Sequence, residues 1–127
     1  MTLQTTIGDI HIELYSEKAP ITVANFLRYT DGGYFDNTSF YRAVRYDNDN
    51  GNPKIEVIQG GIGDGERPYP MIKHETTKLS GLKHLDGMLS MSRGAIDTAT
   101  SDFFICIGDH LGLDYGASRH SDGMGFA

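Results

Sequence analysis

Long apolar runs, a second cysteine and an excess of positive charge are all missing from this chain of 127 residues. No stretch approaches the roughly 20 apolar residues that a membrane-spanning helix needs, which speaks against a membrane partner. The opening Met1-Thr2-Leu3-Gln4 has no basic region leading into an apolar core, so the sequence reads as that of a cytoplasmic protein. A single cysteine, Cys106, cannot close an internal disulfide. It lies in the apolar run Phe103-Phe104-Ile105-Cys106-Ile107, where a thiol behaves as a small buried hydrophobe. Eleven Lys and Arg against seventeen Asp and Glu give a formal charge of -6. The basic residues are scattered, and a phosphate backbone rewards clustered ones, so a nucleic-acid partner is excluded as well.

What is present suits one small domain. With 39% hydrophobic residues the chain can bury a core of its own and is too short for two. Apolar residues alternate at Leu3, Thr5 and Ile7 and again at Ile10, Ile12 and Leu14, which predicts a β-hairpin turning at Gly8-Asp9. Pro20 fits the first turn of a helix whose apolar face carries Val23, Phe26, Leu27 and Thr30, and Gly32-Gly33 stops it. Short strands are predicted at Ser39 to Val44, Ile55 to Gln59, Gly87 to Met91 and Phe103 to Ile107. Many short strands with one helix and sixteen glycines point to an all-β barrel or sandwich.

Several motif-like stretches fail on spacing. Asp47-Asn48-Asp49-Asn50-Gly51 resembles the start of a calcium loop, yet Gly51 stands where the fifth ligand belongs and Ile58 where the closing Glu belongs, so a solvated hairpin loop is expected. His74-Glu75-Thr76-Thr77-Lys78 lacks the second His of a zinc helix. The remaining histidines share no ligand spacing, and no metal is assigned. Ser80-Gly81-Leu82-Lys83 lacks the companion motifs of a serine acyl enzyme. The glycines from Gly60 to Gly65 do not give a phosphate-cradle spacing and no helix pattern follows them.

Three strand motifs occur in order: Ser39-Phe40-Tyr41-Arg42, Ile58-Gln59-Gly60-Gly61 and Ser101-Asp102-Phe103-Phe104-Ile105. Together with Gly8-Asp9-Ile10-His11-Ile12-Glu13-Leu14, Ala19-Pro20-Ile21-Thr22-Val23-Ala24-Asn25-Phe26-Leu27 and Gly87-Met88-Leu89-Ser90-Met91-Ser92-Arg93-Gly94, they make nearly the whole chain resemble the cyclophilins, a family of prolyl cis-trans isomerases. The resemblance implies a mainly-β fold, a closed antiparallel β-barrel with a capping helix, formed as a single domain over residues 1–127. Family members continue past a Gly-Phe-Ala-like stretch into a further strand, a second helix and a last strand. This sequence stops at Gly125-Phe126-Ala127, so the domain is expected to be incomplete at its C-terminus.

The resemblance also implies an activity, cis-trans isomerisation of Xaa-Pro bonds in folding polypeptides. It needs no cofactor, and a monomer acting on proline-containing substrates is expected. Arg42 is the implied catalytic donor. Gln59 would orient it, Val57, Phe104 and Leu113 would hold the proline ring, and Tyr41 and Ser92 would line the neighbouring surface. Two positions depart from the pattern. Glu56 stands where an aromatic floor is usual; either it turns away, or it pairs with Arg42 and weakens the pocket. Asp102 replaces a Gln that would contact substrate backbone, and an ionised carboxylate only accepts, so a preference for basic residues near the proline is expected. The tryptophan common in eukaryotic members is absent, with Gly112 at or near its place, so tight binding of a cyclosporin-like drug is not expected. The competing function is a catalytically weak module that binds proline-containing segments.

Overall fold

The structure, a computed structural model, describes residues 1–127. Two antiparallel sheets carry it. Strands β1 (Thr2–Thr5) and β2 (Gly8–His11) form the first, with Leu3 opposite Ile10. The turn between them is Thr6-Ile7, two residues earlier than the alternation predicted, and Ile7 is almost wholly exposed. The Thr5 hydroxyl accounts for the shift: it donates to the Gly8 carbonyl at 2.6 Å and accepts from the Ile7 N–H, closing the turn from inside. Gly8, at φ +141°, then leaves the turn with a backbone geometry that a side chain would disfavour.

Helix α1 (Pro20–Asp31) begins on its proline, as predicted, and ends at Gly32 and Gly33, the latter at φ +75°. It buries Val23, Phe26 and Tyr29; Tyr29, which the sequence pattern did not place on the apolar face, is fully enclosed. Its ring meets Tyr34, Phe35 and Tyr69 at centroid distances of 5.0 to 6.0 Å.

The second sheet contains β3 (Arg42–Val44), β4 (Val57–Gly60), β5 (Leu89–Met91) and β6 (Phe103–Cys106) in the order β3-β4-β6-β5. Three fall inside the predicted segments, trimmed at their ends, and β4 starts two residues later than predicted and runs one residue further, to Gly60. A one-turn helix α2 (Thr77–Ser80), capped by the Thr76 hydroxyl, and a 3-10 turn at Leu111–Leu113 were not predicted; both are too short to show periodicity. No ladder joins the two sheets.

Side chains alternate across a strand, so the register divides the second sheet into two faces. One carries Val44, Val57, Phe104 and Cys106, packed with Ile55, Leu113 and Phe126. The other carries Phe103 and Met91, packed with Phe26 and Ala99 and flanked by Leu3, Leu14, Phe35, Phe40 and Ile72. Adjacent phenylalanines thus serve separate cores. Beside the second core a groove of about 400 Å³ opens between α1, β2 and β5, lined by Ile10, Ile12, Val23, Leu89 and Ile105 among others.

Candidate active site

Across the first face the ladder sets Arg42 opposite Gln59, Gln59 opposite Phe104, and Phe104 opposite Ser90, so one row brings the three family-like motifs side by side. Arg42 is exposed, and its Nη1 donates to Gln59 Oε1 at 3.1 Å. Gln59 Nε2 in turn donates to the Tyr41 hydroxyl oxygen at 2.8 Å and to Ser92 Oγ at 3.2 Å. Tyr41 spends its own proton on Asp102 Oδ2 at 2.6 Å. Partial burial of the phenol, reinforced by that bond to Asp102, pushes the Tyr41 pKa up to about 12.

Asp102 is therefore an internal strut. Its Oδ1 accepts from Ser101 Oγ at 2.8 Å, the Gly63 N–H at 3.2 Å and Arg67 Nη2 at 3.3 Å. With both oxygens occupied, the reason for expecting a preference for basic substrates falls away. The glycines explain how the carboxylate gets so close: a Cβ on Gly61, which sits at φ +124°, would fall 2.4 Å from Asp102 Oδ1, and one on Gly60 would press on the Phe40 ring.

Beside this polar row lie Val57, Phe104 and Leu113, gathered into one cluster and each nearly buried. Phe126 meets the Phe104 ring edge-on at 5.4 Å. Arg93 holds it there. Its buried side chain bonds the Gly125 carbonyl and, in a two-point pairing, Asp122, with the guanidinium 5.2 Å from the Phe126 ring centre. Arg93 and the Met124 N–H bring the Asp122 carboxyl down to about 2. Of the two alternatives for Glu56, the ion pair with Arg42 is not formed. Glu56 precedes β4, half-buried, its N–H donating to His110 Nε2 and its carbonyl accepting from the Ile107 N–H.

The structure adds residues that the sequence did not single out. Arg67 ties down the turn after β4 through the Gly63 and Gly65 carbonyls, each at 2.5 Å, and Thr100 Oγ1. The predicted solvated loop at Tyr46 to Lys54 is anchored instead: Asp49 is buried, paired at both oxygens with Arg119 at 2.8 Å and bonded by the Gly51 and Ile55 N–H groups. Nothing in the sequence links two residues 70 apart. Arg119 and these N–H groups hold the Asp49 carboxyl well below the usual range, overriding the cost of burial.

A further line, Ser90, His84 and Asp114, has spacings of 2.8 and 2.7 Å that mimic a nucleophile with its base. The Ser90 proton, however, goes to the Ala127 carbonyl at 2.5 Å, and both Ser90 and His84 are buried. Burial pushes the His84 imidazole below its ordinary pKa, against the opposing pull of Asp114. Cys106 is fully enclosed and burial raises its thiol to about 12, which makes it packing material rather than a nucleophile.

Comparison with known proteins identifies the family. The model of the family described as cyclophilin type peptidyl-prolyl cis-trans isomerase matches residues 1–122. Peptidyl-prolyl cis-trans isomerase A of Dickeya dadantii is 35% identical over 118 residues, covering 90% of this chain and 57% of the relative. An isomerase of Dictyostelium discoideum, cypE, is 38% identical over 119 residues, covering 90% and 70%. A cyclophilin-type isomerase of Cryptosporidium parvum, solved in the presence of the dipeptide Ala-Pro, superposes with a TM-score of 0.73 at 27% identity, over 89% of this chain and 70% of that one. The chain belongs to the cyclophilin-type peptidyl-prolyl cis-trans isomerase family. It spans little more than half the length of the Dickeya relative.

Proposed function

We propose that this chain is a peptidyl-prolyl cis-trans isomerase acting on Xaa-Pro bonds of polypeptides, with Arg42 as the catalytic donor. The observation that carries the reading is an exposed guanidinium held at 3.1 Å by Gln59, one strand away from the apolar cluster of Val57, Phe104 and Leu113. Amide resonance sets a rotation barrier of about 20 kcal/mol, and uncatalysed exchange takes tens to hundreds of seconds. A hydrogen bond from Arg42 to the prolyl nitrogen localises its lone pair and weakens that resonance, while the apolar cluster grips the ring as the acyl side turns. Such a donor, permanently charged and already oriented, stabilises the twisted amide more than either planar form. No covalent step and no proton transfer is required.

The test is the exchange rate of a short Xaa-Pro peptide with the wild-type chain and with Arg42→Ala, both shown to be folded. Acceleration that is lost in the variant establishes the enzyme. A second reading is a module that binds proline segments without turning them. Peptide-induced shifts at Phe104 without faster exchange would replace the first reading by the second.

A further inference from the structure

We infer that Tyr41 and Asp102 are positioning residues that set the direction of the hydrogen-bond chain ending on Arg42, acting through Gln59. The inference rests on the reading of Arg42 as the donor, and it concerns Asp102, where this sequence departs from the family pattern, together with its partner Tyr41.

A glutamine amide can sit either way round, and the two orientations present opposite chemistry to a neighbouring guanidinium. Only the oxygen can accept from Arg42; the NH₂ group would set donor against donor. Something must select the useful orientation. A phenol alone does not, because Tyr41 could donate to a flipped Gln59 as readily as accept from it.

The carboxylate of Asp102 removes that freedom. When ionised it has no proton to give, so Tyr41 must donate to it, at 2.6 Å. With its proton spent, the phenol oxygen can only accept, and it takes Gln59 Nε2 at 2.8 Å. Ser92 Oγ accepts the second proton of the same NH₂ at 3.2 Å. Gln59 Oε1 is thereby left facing Arg42 Nη1 at 3.1 Å. The sense of the whole chain, acid to phenol to amide to guanidinium, is fixed at its acidic end.

Arg67 holds that end in place. It binds Asp102 Oδ1 at 3.3 Å, and the side chains of the two are 26% and 16% exposed, well shielded compared with the exposed Arg42. Ser101 Oγ and the Gly63 N–H occupy the same oxygen, which leaves Oδ2 for Tyr41. The pairing of Asp102 with Tyr41 joins residues 61 apart, so the chain of bonds also ties the entry of β3 to the entry of β6.

A positioning role predicts a loss in kcat with little change in KM, because the arginine is needed oriented in the twisted state more than in the ground state. Tyr41→Phe and Asp102→Asn should each lower kcat about fivefold, the scale of one well-placed hydrogen bond. Asp102→Glu should recover part of the loss. The deciding comparison repeats both substitutions in a Gln59→Leu background, where a chain that acts through Gln59 leaves them without further effect. Losses that persist there, or that track lowered thermal stability, would mean that Tyr41 and Asp102 merely brace the turn, and would overturn the inference.

A second readout does not depend on catalysis. The ¹⁵Nε relaxation of Arg42 should report a restrained guanidinium in the wild type and a freer one in Tyr41→Phe and Asp102→Asn. If the wild-type chain is folded but does not accelerate exchange, the functional reading fails while this measurement still decides the positioning claim. Unchanged Arg42 relaxation in both variants refutes it.

Discussion

The two faces of the four-stranded sheet are built on different terms. On the first, the row Arg42, Gln59, Phe104, Ser90 is bound into neighbours at every position but one. Arg67 and Arg93 each make four or more hydrogen bonds and Arg119 makes three, and they clamp the segments around the row, whereas Arg42 makes a single side-chain bond and is exposed. The second face is apolar throughout but unevenly covered: Phe103 and Met91 are sealed by α1 and its neighbours, while Ile105 and Leu89 look onto the groove. An arginine saturated by the protein is structural. One left with spare donors can spend them on something else.

That contrast can be broken by substitution, and the largest effect should come from its sealed end. Phe103→Ala empties a site between Phe26, Phe35 and Phe40 and should cost about 3–5 kcal/mol in urea unfolding. Asp49→Ala leaves Arg119 without its partner among buried groups, and about 3 kcal/mol of destabilisation is expected. Arg42→Ala should do the reverse: stability within about 0.5 kcal/mol of wild type by thermal melt, with a loss of catalysis of about a hundredfold. Leu89→Ala, at the half-covered edge of the groove, should cost only about 1 kcal/mol, and a loss as large as that of Phe103→Ala would mean the groove is not open in solution.

Acid gives a finer test of the clamped face. The folded carboxyl of Asp49 lies below its unfolded value near 4, so its contribution to stability is complete above that value and is lost as pH falls through the folded one. His84 works over a higher range. Its folded pKa lies below its unfolded value near 6.5, so the unfolded chain takes up a proton first and stability declines as pH drops through that region. An Asp49→Asn variant should flatten the first decline and leave the second.

The sequence shows some of this face and conceals the rest for physical reasons. Strand motifs of alternating character located β3 to β6 and, through the family resemblance, Arg42, Gln59 and Phe104. Proline and glycine placed both ends of α1. The hairpin turn went to Gly8-Asp9 because glycine and aspartate are strong turn residues, but a threonine side chain closed the turn two positions earlier. Asp102 is a related case: its chemistry is legible, while the four groups that occupy it come from Tyr41, Gly63, Arg67 and its neighbour Ser101, three of them distant in the chain. Arg119 left no local signal at all.

The pairing of Asp49 with Arg119 also has a kinetic side. Its partners are 70 residues apart, and closing so long a loop costs entropy before any bond rewards it. The hairpin of β3 and β4 can form around residues 45–56 from local contacts, whereas the clamp must wait until the segment after Leu113 arrives. It therefore belongs to the last stage of folding and to the first stage of opening. Removing it should leave the refolding rate nearly unchanged and speed unfolding, which makes Arg119 a determinant of how long the native chain lasts rather than how fast it forms.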